Sequence, residues 1–287
     1  MKSFSQRVVV VTGAASGIGR SLATQLAGHG ANLALADTNS EGLAETKALL
    51  ERTGVRCTTH TLDVANCEAF ETFARQVVQD HGEVHVLFNN AGVSLVDSVE
   101  NQSYEDFHWL MNINFWGVVH GTLAFLPYMK QVEDAHIVNV SSLFGILALP
   151  LQSAYNTSKF AVRGFSEALK MELVGSHIHV SCVHPGGIKT GIVRNSRVNQ
   201  KTIGGPQDKL KTDFDTKART TADQAAAIII RGVLKNKRRI LVGTDAKIMS
   251  LVTRLFPGTY EKVLGFEKAV RQRRSPRLEK SAQLTDV

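Results

Sequence analysis

Apolar residues in this chain fall into short continuous runs that recur at regular intervals. The first run, from Val8 to Val11, consists of four valines in succession. A continuous β-branched run is typical of a strand buried on both faces of a sheet, because neither face alternates with polar residues. Together with more polar segments of similar length, such runs predict seven strands, at residues 7–12, 32–36, 55–62, 84–88, 135–140, 178–183 and 239–242.

The segments between these strands carry helical signals. Asn66 and Ser103 occupy N-cap positions, and Thr221 followed by Gln224 forms a capping-box pattern. Helices are predicted at about residues 17–30, 41–54, 67–82, 103–130 and 153–175, with a further helix after Thr221. Strands that alternate with helices through short connections predict a parallel sheet covered by helices on both faces. The predicted fold class is therefore α/β, with one doubly wound domain.

The C-terminal part of the chain looks different from this domain. Residues 188–219 are polar and contain glycine without clear periodicity, which indicates either a substrate lid or disorder. We predict one α/β domain over residues 1–245 and a helical extension with a basic tail over residues 246–287. Between residues 262 and 280 there are seven Lys or Arg and two Glu, so this segment carries +5 of the net charge of +7. Such a run is most often solvated, and peripheral contact with a membrane stays open.

Composition narrows the class of protein. Hydrophobic residues make up 43% and charged residues 21% of 287 residues, which is ordinary for a soluble globular protein. Apart from the tail the chain is nearly neutral, which argues against a nucleic-acid-binding domain. The three cysteines and ten histidines show no metal-ligand spacing, so we expect no metal site. Free thiols and the absence of a signal-peptide pattern favour the cytoplasm.

A glycine-rich turn follows the first predicted strand. Gly13, Gly17 and Gly19 lie between a strand and a helix, where glycine lets the backbone approach a pyrophosphate at the helix N-terminus. The spacing is neither Gly-x-Gly-x-x-Gly nor that of a Walker A loop. A plain strand-to-helix turn is the alternative interpretation.

Asp37 ends the second predicted strand, eighteen residues after Gly19. A carboxylate at this place can accept hydrogen bonds from an adenine ribose and would repel a 2′-phosphate. Ala14, Ala15 and Thr38 are neutral, and Arg20 is expected to point away along its helix. The sequence therefore favours NAD over NADP, unless Asp37 is only a solvated residue at a strand end.

Tyr155 and Lys159 are four residues apart on one predicted helix and so share a face. An ammonium about 5 Å from a phenol is expected to lower the pKa of the phenol by roughly two units. That shift would suit a general acid or base. Taken alone, a Tyr–Lys pair on a helix is more often an ordinary surface pair; Ser142, thirteen residues before Tyr155, makes this pair notable.

Four motifs in this order resemble those of the short-chain dehydrogenase/reductase family. They are Thr12-Gly13-x-x-x-Gly17-Ile18-Gly19, Asn89-Asn90-Ala91-Gly92, Ser142 with Tyr155-x-x-x-Lys159, and Pro185-Gly186-x-Ile188-x-Thr190. The resemblance implies a single Rossmann-type domain with a seven-stranded parallel sheet. It also implies reversible hydride transfer between a nicotinamide coenzyme and an alcohol/carbonyl pair.

The resemblance also assigns roles to individual residues. Its implied catalytic set is Asn114, Ser142, Tyr155 and Lys159, with Ser141 as the competing choice for the serine. Its implied coenzyme-binding set is Gly13, Ser16, Gly17, Ile18, Gly19, Asp37, Asp63, Val64, Asn90, Ala91, Gly92, Tyr155, Lys159, Pro185, Gly186, Ile188 and Thr190. Asn114 would support a water-linked proton relay to Lys159; a helix-kink asparagine is the alternative interpretation.

The substrate pocket is less readable. Candidate wall residues are mostly apolar and favour a hydrophobic alcohol or ketone. The substrate-binding candidates are Ser142, Phe144, Leu149, Gln152, Tyr155, Gly187 and Ile192, and further wall candidates are Ser94, Leu95, Leu143 and Val193. The family resemblance implies a homodimer or homotetramer. A non-catalytic nucleotide-binding regulator and an NADP(H)-dependent carbonyl reductase remain alternative interpretations.

Overall fold

The computed structural model describes residues 1–192, 195–199, 202 and 218–265 of the chain. Most of the predicted lid, the wall candidate Val193 and the basic tail after residue 265 lie outside the described residues. The strands are β1 Val8–Thr12, β2 Asn32–Asp37, β3 Cys57–Thr61, β4 Val86–Asn89, β5 Leu95–Val96, β6 Ala135–Val140, β7 Ile178–Pro185, β8 Ile188–Lys189, β9 Arg197–Val198, β10 Thr220–Thr221 and β11 Arg239–Val242. The α-helices are α1 Gly17–Gly28, α2 Ser40–Leu50, α3 Cys67–His81, α4 Tyr104–Met111, α5 Gly117–Met129, α6 Ser153–Glu172, α7 Ala222–Leu234, α8 Thr244–Leu255 and α9 Tyr260–Val263.

Seven of these strands form one parallel sheet in the order β11-β7-β6-β4-β1-β2-β3. The four valines of β1 alternate between two cores. Val9 and Val11 belong to the core beneath α1 and α7, whereas Val8 and Val10 belong to the core beneath α3 and α5. Because β1 is buried on both faces, a continuous apolar run is the pattern that it requires. The predicted doubly wound α/β fold with a seven-stranded sheet is confirmed.

The capping signals that the sequence predicts are formed. Asn66 and Ser103 each accept a hydrogen bond from the backbone three residues ahead. Thr221 and Gln224 make both bonds of a capping box at the start of α7. These side chains satisfy backbone donors that a helix leaves unpaired at its N-terminus, so the helix starts were readable from the sequence.

One predicted helix, over residues 103–130, is interrupted. A π-helical turn, Asn112–Trp116, separates α4 from α5. A π-turn carries more than the usual number of residues per turn, so the side chains after it are rotated around the axis. Asn114 lies inside this turn and is fully buried. The sequence predicted a continuous helix here because a single wide turn barely disturbs the apolar periodicity.

Candidate active site

The glycine-rich turn joins β1 to α1 at the carboxyl edge of the sheet. Gly13 and Gly17 adopt φ values of +67° and +55°, a left-handed region that favours glycine. A Cβ on Gly13 would lie 2.8 Å from the Cα of Ala91, and a Cβ on Gly19 would overlap the carbonyl oxygen of Gly13. These positions therefore require glycine so that the turn can close against the neighbouring strand end.

Thr12 and Asn90 hold this turn in place. The Thr12 hydroxyl accepts hydrogen bonds from the backbone amides of Asn90 and Ala91, at 3.0 and 3.1 Å. The Asn90 side-chain amide donates to the carbonyl oxygens of Thr12 and Gly13, at 2.9 and 3.3 Å. Asn90 belongs to the coenzyme-binding set that the family resemblance implied; in the structure its amide nitrogen is engaged by the turn itself.

The groove beside the turn fits a dinucleotide pyrophosphate. Ser16 is the exposed N-cap of α1 and makes no capping hydrogen bond with its side chain. The helix N-terminus beside the cradle of Gly13, Gly17 and Gly19 favours an anion. Across the groove, a Cβ on Gly17 would lie 3.4 Å from the Cβ of Thr190. Gly17 and Thr190, which are 173 residues apart in the sequence, thus come within van der Waals distance of each other.

Asp37 ends β2 next to the turn. Its two carboxylate oxygens accept hydrogen bonds from the backbone amides of Ala15 and Asn39, both at 3.0 Å. Carboxylate oxygens each offer two acceptor sites, so this arrangement fixes the side chain and leaves acceptor capacity for ribose hydroxyls. The carboxylate lies at the end of the groove where the resemblance implies the adenine ribose.

Arg20 does not point away along its helix as the sequence analysis expected. Its guanidinium turns back and donates to the carbonyl oxygen of Ala15 at 2.5 Å. It also contacts Glu45 at 2.7 Å and the carbonyl oxygen of Gly42 at 3.2 Å. The cation is therefore close to the Asp37 end of the groove, but carboxylate and carbonyl oxygens already surround it.

Asp63 and Val64, two residues of the implied coenzyme-binding set, follow the end of β3. Asp63 is exposed and accepts a hydrogen bond from the backbone of Ala65 at 2.9 Å. Val64 is buried beside Gly117, where a Cβ would come within 2.8 Å of the valine side chain. Gly117 therefore makes room for Val64 between the strand end and α5.

Tyr155 and Lys159 meet in the structure as their spacing predicts. Both side chains are buried in α6, at 9% and 3% exposure, and the Lys159 ammonium lies 5.6 Å from the centre of the Tyr155 ring. Lys159 also donates to the carbonyl oxygen of Val140, at the end of β6, at 3.2 Å. The ammonium is thus fixed between the phenol and the central strands.

The pKa of Tyr155 differs from the expectation. Burial raises the pKa of the phenol above 10.0, and a hydrogen bond with Ser142 opposes this rise. Burial also lowers the pKa of Lys159 to about 8. The predicted lowering of the phenol pKa by the neighbouring ammonium was wrong for the protein chain alone, because helix spacing says nothing about the loss of solvent around both groups.

The two adjacent serines after β6 have separate tasks. The Ser141 hydroxyl donates to the carbonyl oxygen of Lys159 at 2.7 Å and so anchors α6. The Ser142 hydroxyl is the group that opposes the rise in the pKa of Tyr155, and it accepts from the backbone amide of Phe144 at 3.1 Å. This geometry favours Ser142 over Ser141 as the serine beside the phenol.

His184 supports Ser142 and was missed by the sequence analysis. It lies on β7, and its Nδ1 is 2.9 Å from the carbonyl oxygen of Ser142. Burial lowers the pKa of His184 to about 4, so the ring is neutral at pH 7 and Nδ1 must carry the proton to donate. Only strand pairing brings residues 142 and 184 together, so no local pattern could have indicated this contact.

Asn114 clamps the loop after β4 from the π-turn. Its side chain accepts from the backbone amide of Val93 at 2.8 Å and donates to the carbonyl oxygen of Val93 at 3.0 Å. A Cβ on Gly92 would lie 3.1 Å from the Asn114 amide oxygen and 3.3 Å from the Lys159 ammonium. Asn114 and Lys159 therefore approach each other across the bare backbone of Gly92.

Asp245 is a second residue that the sequence analysis missed. It lies in the first turn of α8, and its carboxylate accepts from the backbone amide of Gly187 at 2.6 Å. A Cβ on Gly186, or on Gly243 with its φ of +99°, would overlap this carboxylate. Asp245 thus attaches the loop after Pro185 to α8. The sequence feature that could have indicated this residue was an acid that follows a glycine at the start of a helix.

The remaining predicted residues divide between core and pocket. Ile188 is buried in the core, so its side chain is not available to a ligand. Phe144 packs edge-on against Tyr155 with ring centres 6.0 Å apart. Leu143 and Leu149 form a cluster with Met249 of α8 and Tyr260 of α9. The apolar wall beside Tyr155 is therefore shared with the C-terminal helices, which the predicted boundary at residue 245 had separated from the site.

Three wall candidates, Gln152, Gly187 and Ile192, lie in the loops around the site. Gln152 precedes α6, and its side-chain oxygen is buried without a hydrogen-bond partner among the described residues. Gly187 is fixed by Asp245, and the carbonyl oxygen of Ile192 accepts from Ser196 at 2.9 Å. Ser94 and Leu95 are both buried, and Leu95 shares a cluster with Tyr155.

The family model for short chain dehydrogenases matches residues 7–201 of this chain. The chain belongs to that family. It is 44% identical over 267 residues to SadH of Mycobacterium tuberculosis, a protein assigned to the oxidoreductases, with 92% of this chain and 96% of SadH covered. It is also 34% identical over 197 residues to the 3-ketodihydrosphingosine reductase of Bacteroides thetaiotaomicron, with 68% and 69% covered.

Solved structures agree with this family assignment. A short-chain dehydrogenase/reductase from Burkholderia phymatum, crystallised with NAD, matches with a TM-score of 0.83 and 29% identity. The match covers 89% of this chain and 95% of the other. Among the solved relatives, one holds NAD and another holds 5-hydroxy-NADP. Together with the family match, this similarity shows that the chain is an oxidoreductase with a nucleotide-binding fold. In the described part of the chain, no helix combines the length and apolarity needed to cross a membrane.

Proposed function

We propose that this protein catalyses reversible hydride transfer between NAD(H) and a hydrophobic secondary alcohol or its ketone. The observation that carries the proposal is the convergence of Ser142, Tyr155 and Lys159 at the carboxyl edge of the sheet, beside the glycine-rich turn. A non-catalytic regulator would have no need of a buried phenol with a serine hydroxyl and an ammonium close by.

Tyr155 is the proposed proton donor to a carbonyl oxygen, and the proton acceptor in the reverse direction. Ser142 provides a second hydrogen bond at the oxygen where charge develops. The nicotinamide, when bound, supplies or accepts the hydride. Because burial raises the pKa of Tyr155, the phenol holds its proton at neutral pH until a developing alkoxide takes it.

Lys159 and Asn114 are proposed to support this proton transfer. The Lys159 ammonium holds the coenzyme sugar next to it and stabilises negative charge on the phenol through space. Asn114 keeps the loop at Val93 in place next to Lys159, the position that a water-linked relay to that lysine needs.

NAD(H) is the proposed coenzyme because of Asp37. A 2′-phosphate near this carboxylate would place like charges in a groove that is less screened than water. Arg20 is the nearby cation that could offset the repulsion, and it is already paired with Glu45 at 2.7 Å. NADP(H) would require Arg20 to leave these partners.

The proposed substrate is hydrophobic because the wall beside Tyr155 is apolar. Leu95 and Phe144 lie in one cluster with the phenol, and Leu143 and Leu149 lie in the next. The similarity to a 3-ketodihydrosphingosine reductase supports a long-chain ketone or alcohol in particular. Such a substrate combines one polar reacting oxygen with extensive apolar surface, which this set of side chains matches.

The proposed assembly is a homodimer or homotetramer. Helices α5 and α6 expose Leu123 and Phe160, at 62% and 40%, close to the segments that carry Asn114 and Tyr155. Exposed apolar side chains on neighbouring helices favour contact with a further copy of the chain. Sedimentation velocity of the purified protein, with Leu123→Lys as the variant, tests this assembly.

The function is tested by measuring consumption of NADH with a panel of ketones that increase in chain length at constant head group. We expect turnover that rises with chain length and that disappears in Tyr155→Phe. Binding of NADH without turnover of any ketone or alcohol in the panel would favour the regulator instead.

A further inference from the structure

Helix α8 has two faces of different character. Its inner side carries Ala246 and Met249, which pack with Leu143 and Leu147 beside the loop of Ser142. Its outer side carries Ile248, Leu251 and Leu255, which are 56%, 55% and 62% exposed. These three residues, spaced i, i+3 and i+7, share one side of the helix and form what we call the α8 outer face.

Apolar exposure continues beyond the end of α8. Phe256 and Val263, in the turn and the short helix that follow, are 46% and 53% exposed. Single exposed apolar residues are normal on protein surfaces, whereas a contiguous set marks an interaction surface. The C-terminal helices therefore present an unusual concentration of apolar side chains to the outside.

Cations border the α8 outer face. Lys247 and Arg254 are seven residues apart, so they lie along the same edge of the helix, and both are exposed. Lys262 is exposed on α9. The acid on α8 itself, Asp245, is directed inward to the amide of Gly187. An apolar face with flanking cations and no outward acid on the helix is complementary to an anionic lipid surface.

The position of α8 links this face to the substrate site. The inner side of the helix contributes to the same cluster as the wall candidates Leu143 and Leu149. The hydroxyl of Tyr260 accepts from the backbone of Ala148 at 3.3 Å and so attaches α9 to the same loop. A surface bound to the α8 outer face would lie one helix diameter, about 10 Å, from the wall of the pocket.

We propose that the α8 outer face, with Lys247 and Arg254, docks the enzyme onto the surface of an anionic membrane in which its hydrophobic substrate is dissolved. The membrane-dissolved substrate rests on the proposed function; the docking itself does not. Lysine and arginine stems lie along the apolar face while their charged ends reach the headgroups. The protein would then take a lipid-like ketone from the bilayer rather than from water.

The docking is tested by flotation of the full-length protein with vesicles of phosphatidylcholine containing phosphatidylglycerol, compared with pure phosphatidylcholine. We expect binding to the anionic vesicles that falls at least about tenfold in Ile248→Ser/Leu251→Ser/Leu255→Ser. Leu49→Ser/Met171→Ser/Val174→Ser removes three equally exposed apolar residues elsewhere and should bind like the wild type. Lys247→Glu/Arg254→Glu should remove the preference for anionic vesicles.

Further measurements show whether the α8 outer face binds a membrane or another copy of the chain. Turnover of a water-soluble ketone and the melting temperature should be unchanged in the α8 triple variant, which shows that the site and the fold are intact. Equal flotation of wild type and triple variant, or a loss of subunits in sedimentation velocity for the triple variant, would overturn the proposal; the second result would make the face a contact between copies. If vesicles bind but no hydrophobic ketone is reduced, the docking stands and the proposed function fails.

Discussion

The two halves of the coenzyme groove are built in different ways. The half around Gly13 and Asp37 is made mainly of backbone within residues 12–37, where a turn and two neighbouring strand ends meet. The half around Tyr155 is assembled from side chains on the π-turn, β6, α6, β7 and the start of α8. Local structure thus suffices to build a binding surface, whereas the reacting groups need the complete tertiary fold. Substitutions in the first half should change coenzyme affinity and choice, and those in the second should change rate.

Tyr155→Phe should show most clearly that the rate of reaction and the binding of NADH depend on different halves of the groove. It removes the transferable proton and leaves the ring and the glycine-rich turn in place, so we expect kcat to fall by about 10³-fold with NADH binding nearly unchanged. Steady-state kinetics and fluorescence titration with NADH measure the two quantities. Tyr104→Phe, at a tyrosine that is 87% exposed, is the matched control. Retention of more than about a tenth of the activity would remove Tyr155 from its assigned role.

Asp37→Ala with Thr38→Arg should change the coenzyme preference of the first half of the groove and leave the residues around Tyr155 unchanged. The wild type should prefer NAD(H) by about a hundredfold in kcat/KM, because a 2′-phosphate about 4 Å from the carboxylate meets roughly 4 kcal/mol of repulsion per unit charge. The double variant should prefer NADP(H), since the repulsion is gone and an arginine can bind the phosphate. Thr38→Arg alone keeps the carboxylate and serves as the control. Equal efficiency with both coenzymes in the wild type would mean that Arg20 abandons Glu45, or that Asp37 swings out.

Asp245→Asn tests whether the second half depends on the C-terminal helix. The change turns a charge-assisted hydrogen bond to Gly187, 2.6 Å long, into a weaker neutral one, so kcat/KM for the coenzyme should fall about tenfold. Asp223→Asn is the control, because Asp223 also lies in the first turn of a helix but bonds to Ser21, outside the groove. Unchanged coenzyme kinetics in Asp245→Asn would show that the loop holds its shape without the carboxylate.

The pH profile should reveal the buried ammonium. Burial lowers the pKa of Lys159 to about 8, so the group loses its proton as the pH rises through that value. With NADH varied, kcat/KM should therefore decline by up to about tenfold per pH unit above pH 8, since this ratio reports the free enzyme. The pKa of Tyr155 is raised above 10.0 and cannot produce this decline. If kcat/KM stays constant up to pH 10, the prediction that Lys159 loses its proton near pH 8 is wrong.

The difference between the halves also explains what the sequence could reveal. The turn of Gly13, the carboxylate of Asp37 and the Tyr155–Lys159 spacing are encoded within a few residues, so they were predicted. The bond from Asp245 to Gly187 and the support of Ser142 by His184 join residues 58 and 42 positions apart. The local pattern does not show which distant residue either side chain will contact. The pKa of Tyr155 was predicted in the wrong direction because burial is a property of the assembled fold.

The fold was more readable than the site for the same reason. Apolar runs and capping residues determine each strand and helix start locally, and the order of the elements then limits the sheet to a parallel arrangement. The π-turn around Asn114 was the exception. Asn114 in this turn makes two hydrogen bonds to the backbone of Val93, a tertiary contact that periodicity does not report.

The order of strands in the sheet has a consequence for synthesis. β1 occupies the interior of the sheet with β2 and β4 on its two sides, whereas β11 is the outer strand of the sheet in the described residues and pairs with β7. The strands that frame the glycine-rich turn are complete at Asn89, 150 residues before β11 begins at Arg239. At about 5–20 residues per second, a ribosome needs about 8–30 s to cover that distance. A nascent chain is therefore expected to display a nucleotide cradle well before the last strand docks and brings Asp245 to its loop, so that the capacity to react is the final property the polypeptide acquires.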